Sequence, residues 1–309
     1  MGGLVTTIIP VFNRASMLRE AVASVLAQTY RPIEVIIVDD GSTDDTSRVA
    51  DELASAIVRV IHQPNGGAGA AREAGRLVAC GDYIQHLDSD DLLDPQKFAL
   101  QVAALDRDAN AGIAYGWTRV ANSERPWKRT GERIETMFPS MLQSRWWDTS
   151  TPLYRRDVIE KAGAWTSLRM EEDWEYDCRI ASQGVRLAYV EAWVSETRFH
   201  DAQLSGRGLN AATLRERAKA HALILGHARQ AGIAAETSEM QHFARELFLL
   251  ARQCGAAGLA NESQMLFDLA RDASGDRAGN LQFRAYAVLA RLIGWRNAGA
   301  MACMMDRLR

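Results

Sequence analysis

The chain has 309 residues, of which 47% are hydrophobic and 24% charged, the balance of a soluble globular protein with one large domain and an appendage. Formal net charge is −3, from 36 Lys+Arg against 39 Asp+Glu, so no global field favours nucleic acid. Cys80, Cys178, Cys254 and Cys303 are scattered with no CxxC pair, so neither a zinc site nor a disulfide framework is indicated, and a reducing cytosol fits.

The N-terminus, MGGLVTTIIPVFNR, has no basic leader and only a short apolar run, so no signal peptide is expected, and no apolar run reaches the ~18 residues of a spanning helix. Residues 4–9 (LVTTII) are β-branched and nearly all apolar, as a strand buried on both faces should be. Pro10 stops it. Ser16 is placed to cap a helix whose face carries Leu18, Val22, Val25 and Leu26. Residues 33–38 and 58–61 predict two more strands, with a helix through Ala54 between them. Asn65-Gly66-Gly67 is a turn, residues 68–79 a helix and residues 83–87 a fourth strand. Alternation of this kind implies right-handed βαβ units and a mostly parallel sheet flanked by helices. Residues 112–120 (GIAYGWTRV) predict a strand, and 121–147 are polar, Arg-rich and irregular. Residues 153–156 open a short strand or turn before 158–162, 170–183 form an acid-led helix, and 187–193 and 196–200 close the α/β region as strands. From residue 210 onward the pattern is amphipathic helix with Gly-containing breaks and no repeat consensus.

In an open parallel sheet, ligands bind beyond the carboxyl ends of the strands. Those ends carry Pro10-Val11-Phe12-Asn13-Arg14, Asp39-Asp40-Gly41-Ser42 and Asp88-Ser89-Asp90-Asp91. The last three acids either converge on a hard cation such as Mg²⁺ or Mn²⁺, or form a solvated turn in which Asp88 and Asp91 cap helices, with Asp94-Pro95 a better cap just beyond. One aspartate of VDDGSTD can accept from a base or ribose, and Ser42 or Thr43 can cap the next helix; both can hold at once. GGAGAA lacks the GxxxxGK pattern and suits a close-packed helix start. In Glu171-Glu172-Asp173-Trp174 a carboxylate is either a general base or favourable helix-start charge. His200 is either structural or a phosphate or metal contact.

Taken in order, IIPVFNR, VDDGSTD, NGGAGAAREAG, GDYIQHLDSDD, EEDW and RFH resemble family 2 glycosyltransferases over about residues 4–205. The resemblance implies an α/β GT-A-type fold, with residues 1–208 as the nucleotide-sugar-binding and catalytic domain and 209–309 as a helical C-terminal region. It implies a metal-dependent, inverting transfer from a nucleoside-diphosphate sugar, most often UDP-linked, to an acceptor hydroxyl, in bacterial surface polysaccharide or glycoconjugate synthesis. The acceptor would be a saccharide, a lipid-linked sugar or a protein, with no nucleic-acid partner. By position, Pro10, Val11, Asn13, Arg14, Asp40, Arg72, Asp88 and Ser89 fall to the donor nucleotide, and Asp173 to the catalytic base. Asp90 falls to direct ligation of Mg²⁺ or Mn²⁺, with Asp88 indirect and His200 near the diphosphate and metal. Asp91, Glu172 and Trp174 fall to the donor sugar or acceptor. Trp146 and Trp147, in the variable stretch between Arg119 and Thr151, would stack on a sugar ring or form a core edge.

The chain departs from the family in having Ala71-Arg72-Glu73 where many members have ArN, and it lacks QxxRW, which favours single or limited transfer. A sugar nucleotidyltransferase is the competing enzyme class, but it would show a Gly-rich basic loop where this chain has PVFNR. A non-catalytic nucleotide-sugar-binding scaffold is the other alternative. The tail, AVLARLIGWRNAGAMACMMDRLR, mixes apolar and Arg residues. It is expected to pack on its neighbours, to touch an anionic bilayer or to form a homo-oligomer. The expected location is the cytoplasm, with the inner membrane face as the peripheral alternative.

Overall fold

The β-branched N-terminal stretch forms the middle of a parallel sheet. In this computed structural model, which describes residues 2–120, 123–199 and 210–307, strand β1 (Val5–Val11) is buried along its whole length. It pairs in parallel with β2 (Ile33–Asp39) and β4 (Tyr83–His86), and β2 pairs in parallel with β3 (Val58–His62). Helices α1 (Ala15–Leu26), α2 (Thr46–Leu53) and α3 (Ala68–Val78) connect them. The later elements are β5 (Leu92–Leu93), α4 (Lys97–Arg107), β6 (Ala111–Val120), β7 (Leu153–Arg155), α5 (Arg156–Ala162), α6 (Glu172–Ala181) and β8 (Arg186–Thr197). The eight strands run in the order β3-β2-β1-β4-β7-β6-β8-β5. β7 is antiparallel to β4 and β6, β5 is antiparallel to β8, and β6 pairs with β8 in parallel, so the sheet is mostly parallel, as the sequence predicts.

The chain divides into two compact units. One comprises Met1–Met137, Trp146–Tyr176 and Gln183–Asp201; the other comprises Phe138–Arg145, Asp177–Ser182 and Ala202–Arg309. The first holds the sheet. Within it α3 lies very close to β1: a Cβ on Gly75 would sit 2.4 Å from Ile8 Cγ2, so a glycine permits the approach. That approach delivers Arg72, one turn earlier on the helix, to the strand ends.

Several local expectations need correction. Ser16 does not cap α1; it lies inside the helix, whose N-cap is Arg14 with no side-chain hydrogen bond, and Leu26 is exposed. Ser42 and Thr43 do not cap α2, whose N-cap is Asp45; both are engaged by Asn13 instead. The two predicted closing strands are one strand, β8, with register shifts against β6 that break the alternation in sequence. Of helix α4 the sequence offers only the Asp94-Pro95 cap. Its inner face carries Lys97 and Gln101 among Phe98, Val102 and Leu105, so the apolar period is interrupted by buried polar residues.

The other unit contains α7 (Ala211–Gln230), α8 (Ser238–Ala256), α9 (Ala260–Ala273) and α10 (Leu281–Arg307). Asn210 caps α7 through Ala212 N and Thr213 N at 2.9 and 3.0 Å, and Thr237 caps α8 through Met240 N at 3.3 Å. An aromatic cluster closes its core, with Phe248 and Tyr286 centroids 5.2 Å apart and Phe267 and Trp295 5.4 Å apart. Helix α10 breaks at Gly294, whose φ of 81° and ψ of 155° are not helical.

Candidate active site

The exits of β1 and β2 are stitched into one loop pair. Asn13 takes a left-handed φ of 53°, which Asn tolerates, and its Oδ1 accepts from Thr43 N at 2.8 Å. Asn13 N donates to Ser42 Oγ at 3.0 Å, and Arg14 N to Thr46 Oγ1 at 2.8 Å. Pro10 and Val11 are buried in β1. At the end of β2, Asp39 is buried and accepts from Ser42 N and Ser47 Oγ, while His62 Nδ1 lies 3.0 Å away. Burial alone would raise its carboxyl, but the bonds from Ser42, Ser47 and His62 outweigh that and leave it lowered.

Asp40 is also buried, and its carboxylate is occupied. Oδ1 accepts from Gln63 Nε2 and Gly66 N, both at 2.8 Å, and Oδ2 accepts from Gly67 N at 2.7 Å. Gly67 has φ 92°, so only glycine presents its N–H here without strain. Asp40 therefore shapes the turn ahead of α3. Arg169, which the sequence reading did not single out, leans over the same turn and donates to Asn65 Oδ1 at 2.8 Å.

Arg72 joins motifs that are remote in sequence. Its guanidinium, 3% exposed, donates from Nη2 to Asp88 Oδ1 at 2.7 Å and from Nη1 to Glu172 Oε1 at 2.9 Å. The partners stand 16 and 100 positions away. Trp165 lies over the same guanidinium, 4.9 Å from ring centroid to Cζ. Burial works against its charge, but Asp88, Glu172 and Asp173 together hold Arg72 more firmly protonated than usual. For Glu172, burial and Asp173 push the carboxyl up against the pull of Arg72. Asp173 stands in the first turn of α6, partly buried, with Oδ1 accepting from Trp174 N at 2.7 Å. Trp174 is also partly buried beside it.

The acidic turn after β4 is held from several sides. Asp90 Oδ2 lies 3.5 Å from Arg14 Nη1. Asp88 and Asp90 keep 33% and 16% of their side chains exposed, while Ser89 is buried. Asp91 is buried, accepting from Ser150 Oγ at 3.0 Å and from Arg198 N at 3.2 Å. Burial and then the charges of Asp88, Asp90 and Asp148 raise its carboxyl well above the usual range. Neither Asp88 nor Asp91 caps a helix. Asp94 Oδ1 accepts from Gln96 N at 3.1 Å, one residue before α4.

Arg198 and Ser150, also absent from the sequence reading, tie this turn to its surroundings. Arg198 Nε donates to Asp90 O at 2.5 Å, and its Nη1 pairs with Glu20. The only signal for Arg198 is its place in RFH. Trp146 and Trp147 are fully buried, packed against Arg129 and Tyr115 respectively, so of their two readings burial favours the core. His200 lies outside the described residues.

Among the described residues, no three His, Cys, Asp or Glu side chains converge to cage a metal. Asp90 and Asp88 nevertheless offer hard oxygen donors at the partly open end of a turn crowded with negative charge. That donor set fits an ion of the Mg²⁺ kind, which takes one or two carboxylates and completes its shell with water and phosphate.

The site thus sits on an eight-stranded mixed sheet, with the acidic exit of β4 tied to the start of α6 by the buried Arg72. Residues 6–158 match the sequence model of the family described as "Glycosyl transferase family 2". Glycosyltransferase GlyG of Streptococcus pneumoniae serotype 4 is 39% identical over 123 residues, 38% of this chain and 41% of that relative. The chain therefore spans less than half the length of that relative. S. aureus TarS 1–349 in complex with UDP-GlcNAc superposes with a TM-score of 0.72 at 16% identity, covering 98% of this chain and 92% of that one. Mannosyltransferase PcManGT of Pyrobaculum calidifontis, in complex with GDP-Man and Mn²⁺, superposes with a TM-score of 0.53 at 18% identity, covering 100% and 88%. Through residues 6–158 the chain belongs to glycosyltransferase family 2, and its fold is of the GT-A type.

Proposed function

We propose that the protein is a metal-dependent, inverting glycosyltransferase that moves a sugar from a nucleoside-diphosphate donor, UDP-linked in the first instance, to an acceptor hydroxyl. The observation that carries this reading is the Asp88–Arg72–Glu172 network. It brings the strand-exit acids and the acid-led start of α6 into one site beyond the carboxyl ends of the parallel strands. Family membership and the nucleotide sugars in the two structural relatives support the same reading.

In this account Asp173 accepts the proton of the acceptor hydroxyl as that oxygen attacks C1 of the donor sugar. The bond from C1 to the diphosphate oxygen breaks on the opposite face, so the anomeric configuration inverts. General-base assistance of this kind supplies ~10²–10⁴-fold. Asp90 would hold a divalent cation directly and Asp88 through an outer shell. When bound, that cation supplies charge neutralisation for the departing diphosphate. The loops carrying Asn13, Arg14 and Asp40 cradle the nucleotide, and Arg72 keeps the acidic groups in register.

Nucleotide release from a panel of nucleoside-diphosphate sugars with Mn²⁺ tests the proposal. At least one donor is expected to turn over slowly even without acceptor. The Asp90→Ala variant should bind that donor at least about tenfold more weakly with Mn²⁺, with little change in the metal-free affinity. A panel in which no donor binds or releases nucleotide would overturn the function. Unchanged Mn²⁺-dependent binding by Asp90→Ala would remove the metal assignment alone.

A further inference from the structure

Helix α10 presents a face that its packing leaves uncovered. It lies on α8 and α9 through its buried side, where Tyr286, Ala290 and Ala298 sit. Opposite that side, Leu281 is exposed at 82%, Leu292 at 76% and Val288 at 53%. Before the break at Gly294, Leu281, Val288 and Leu292 repeat at intervals of seven and four, so they form one stripe along the helix. Past the break, Met301, Met304 and Met305 are also exposed.

The charges around that face are of one sign. No acidic residue occurs between Asp276 and Asp306, in a chain with 39 Asp+Glu among 309 residues. The same stretch carries Arg284, Arg291 and Arg296, all exposed. Asp306 pairs with Arg252 of α8 at 2.6 Å. Asp268 of α9, the acid that shares a shallow pocket with Arg291, stands 3.8 Å from Arg271. A second copy of this face would bring arginines toward arginines with no acid on α10 between Asp276 and Asp306 to answer them. An anionic lipid surface answers both features, with acyl chains for the Leu and Met side chains and phosphates for the guanidiniums. No described helix is long and apolar enough to cross a membrane, so the contact lies in the interfacial plane.

We infer that the exposed face of α10 docks the protein onto an anionic phospholipid bilayer. Co-sedimentation of the full chain with sucrose-loaded vesicles tests this, comparing phosphatidylcholine alone with a three-to-one mixture of phosphatidylcholine and phosphatidylglycerol. Binding is expected only with the anionic vesicles, and it should weaken as salt rises. The triple variant Arg284→Gln, Arg291→Gln, Arg296→Gln should lose affinity on the order of a hundredfold. The triple variant Leu281→Ser, Val288→Ser, Leu292→Ser should lose it comparably; all six changes are at exposed positions, and unaltered thermal unfolding would confirm intact folding. No binding to anionic vesicles, equal binding to neutral ones, or unchanged binding by both variants would each overturn the proposal. A dimer in light scattering that the leucine variant dissociates, with no vesicle binding, would assign the face to a second copy instead.

Discussion

At the scale of single residues, one buried guanidinium decides whether the acidic motifs act as one site. Arg72→Met would leave Asp88 and Glu172 facing each other's charge without their common partner. Breaking a buried pair costs about 3–5 kcal/mol; with Asp88 one-third exposed, about 2 kcal/mol is expected here, read as a lowered midpoint in urea. Turnover should fall at least about a hundredfold, because misplaced groups cost that much even when the chemistry is intact. A variant that unfolds earlier but turns over normally would show that Arg72 serves only the fold. The family resemblance assigned both Arg72 and Asp40 to the donor nucleotide. Their partners could not be seen there, since Arg72 meets Glu172 across 100 positions and Asp40 meets Gly67 across 27. Spacing identified the strand exits; only folding shows which carboxylates are already engaged by the protein.

At the scale of elements, the approach of α3 to β1 sets where Arg72 stands. Gly75→Ala places a methyl 2.4 Å from Ile8 Cγ2 and should cost about 1–3 kcal/mol by overpacking while displacing Arg72. Combined with Ile8→Ala, which makes room for that methyl, the two changes should cost about 1 kcal/mol less than their sum in a double-mutant cycle. Strict additivity would mean the contact does not position the helix. Helix α4 offers a second test. Lys97 is fully buried and donates to Gln101 Oε1 and Thr151 O, both at 2.7 Å, neither of which carries charge. Burial holds its ammonium well below the ordinary lysine value. Between that lowered value and about 10.4 the unfolded chain binds the extra proton, so this group's cost is relieved and stability rises with pH. Lys97→Met removes the titration. The stability of the native chain relative to Lys97→Met should therefore increase as pH rises toward about 10.4, measured by denaturant unfolding at several pH values. A difference independent of pH would contradict the buried, shifted lysine. The same residue explains why α4 was illegible: a lysine on the inner face looks like a solvent position to any pattern of apolar spacing. Strands β1 and β2 were legible because they are buried along almost their whole length and nearly uniform in character.

At the scale of the whole molecule, a mostly parallel sheet gathers three strand exits at one edge, and chain segments from β1 to α6 contribute to the site there. The order of strands and helices was readable because each βαβ unit repeats the same local signals. The antiparallel insertion of β7 between β4 and β6 was not, because a three-residue strand carries too little pattern to fix its neighbours. At this edge we propose sugar transfer with Asp173 as base. Its most direct test compares the native protein with Asp173→Asn on a donor shown to bind, following nucleotide release in the presence of acceptor and donor affinity by calorimetry. Acceptor-stimulated turnover is expected to fall about 10²–10⁴-fold in Asp173→Asn, with donor affinity within about twofold of the native protein. Turnover equal to the native protein would contradict it.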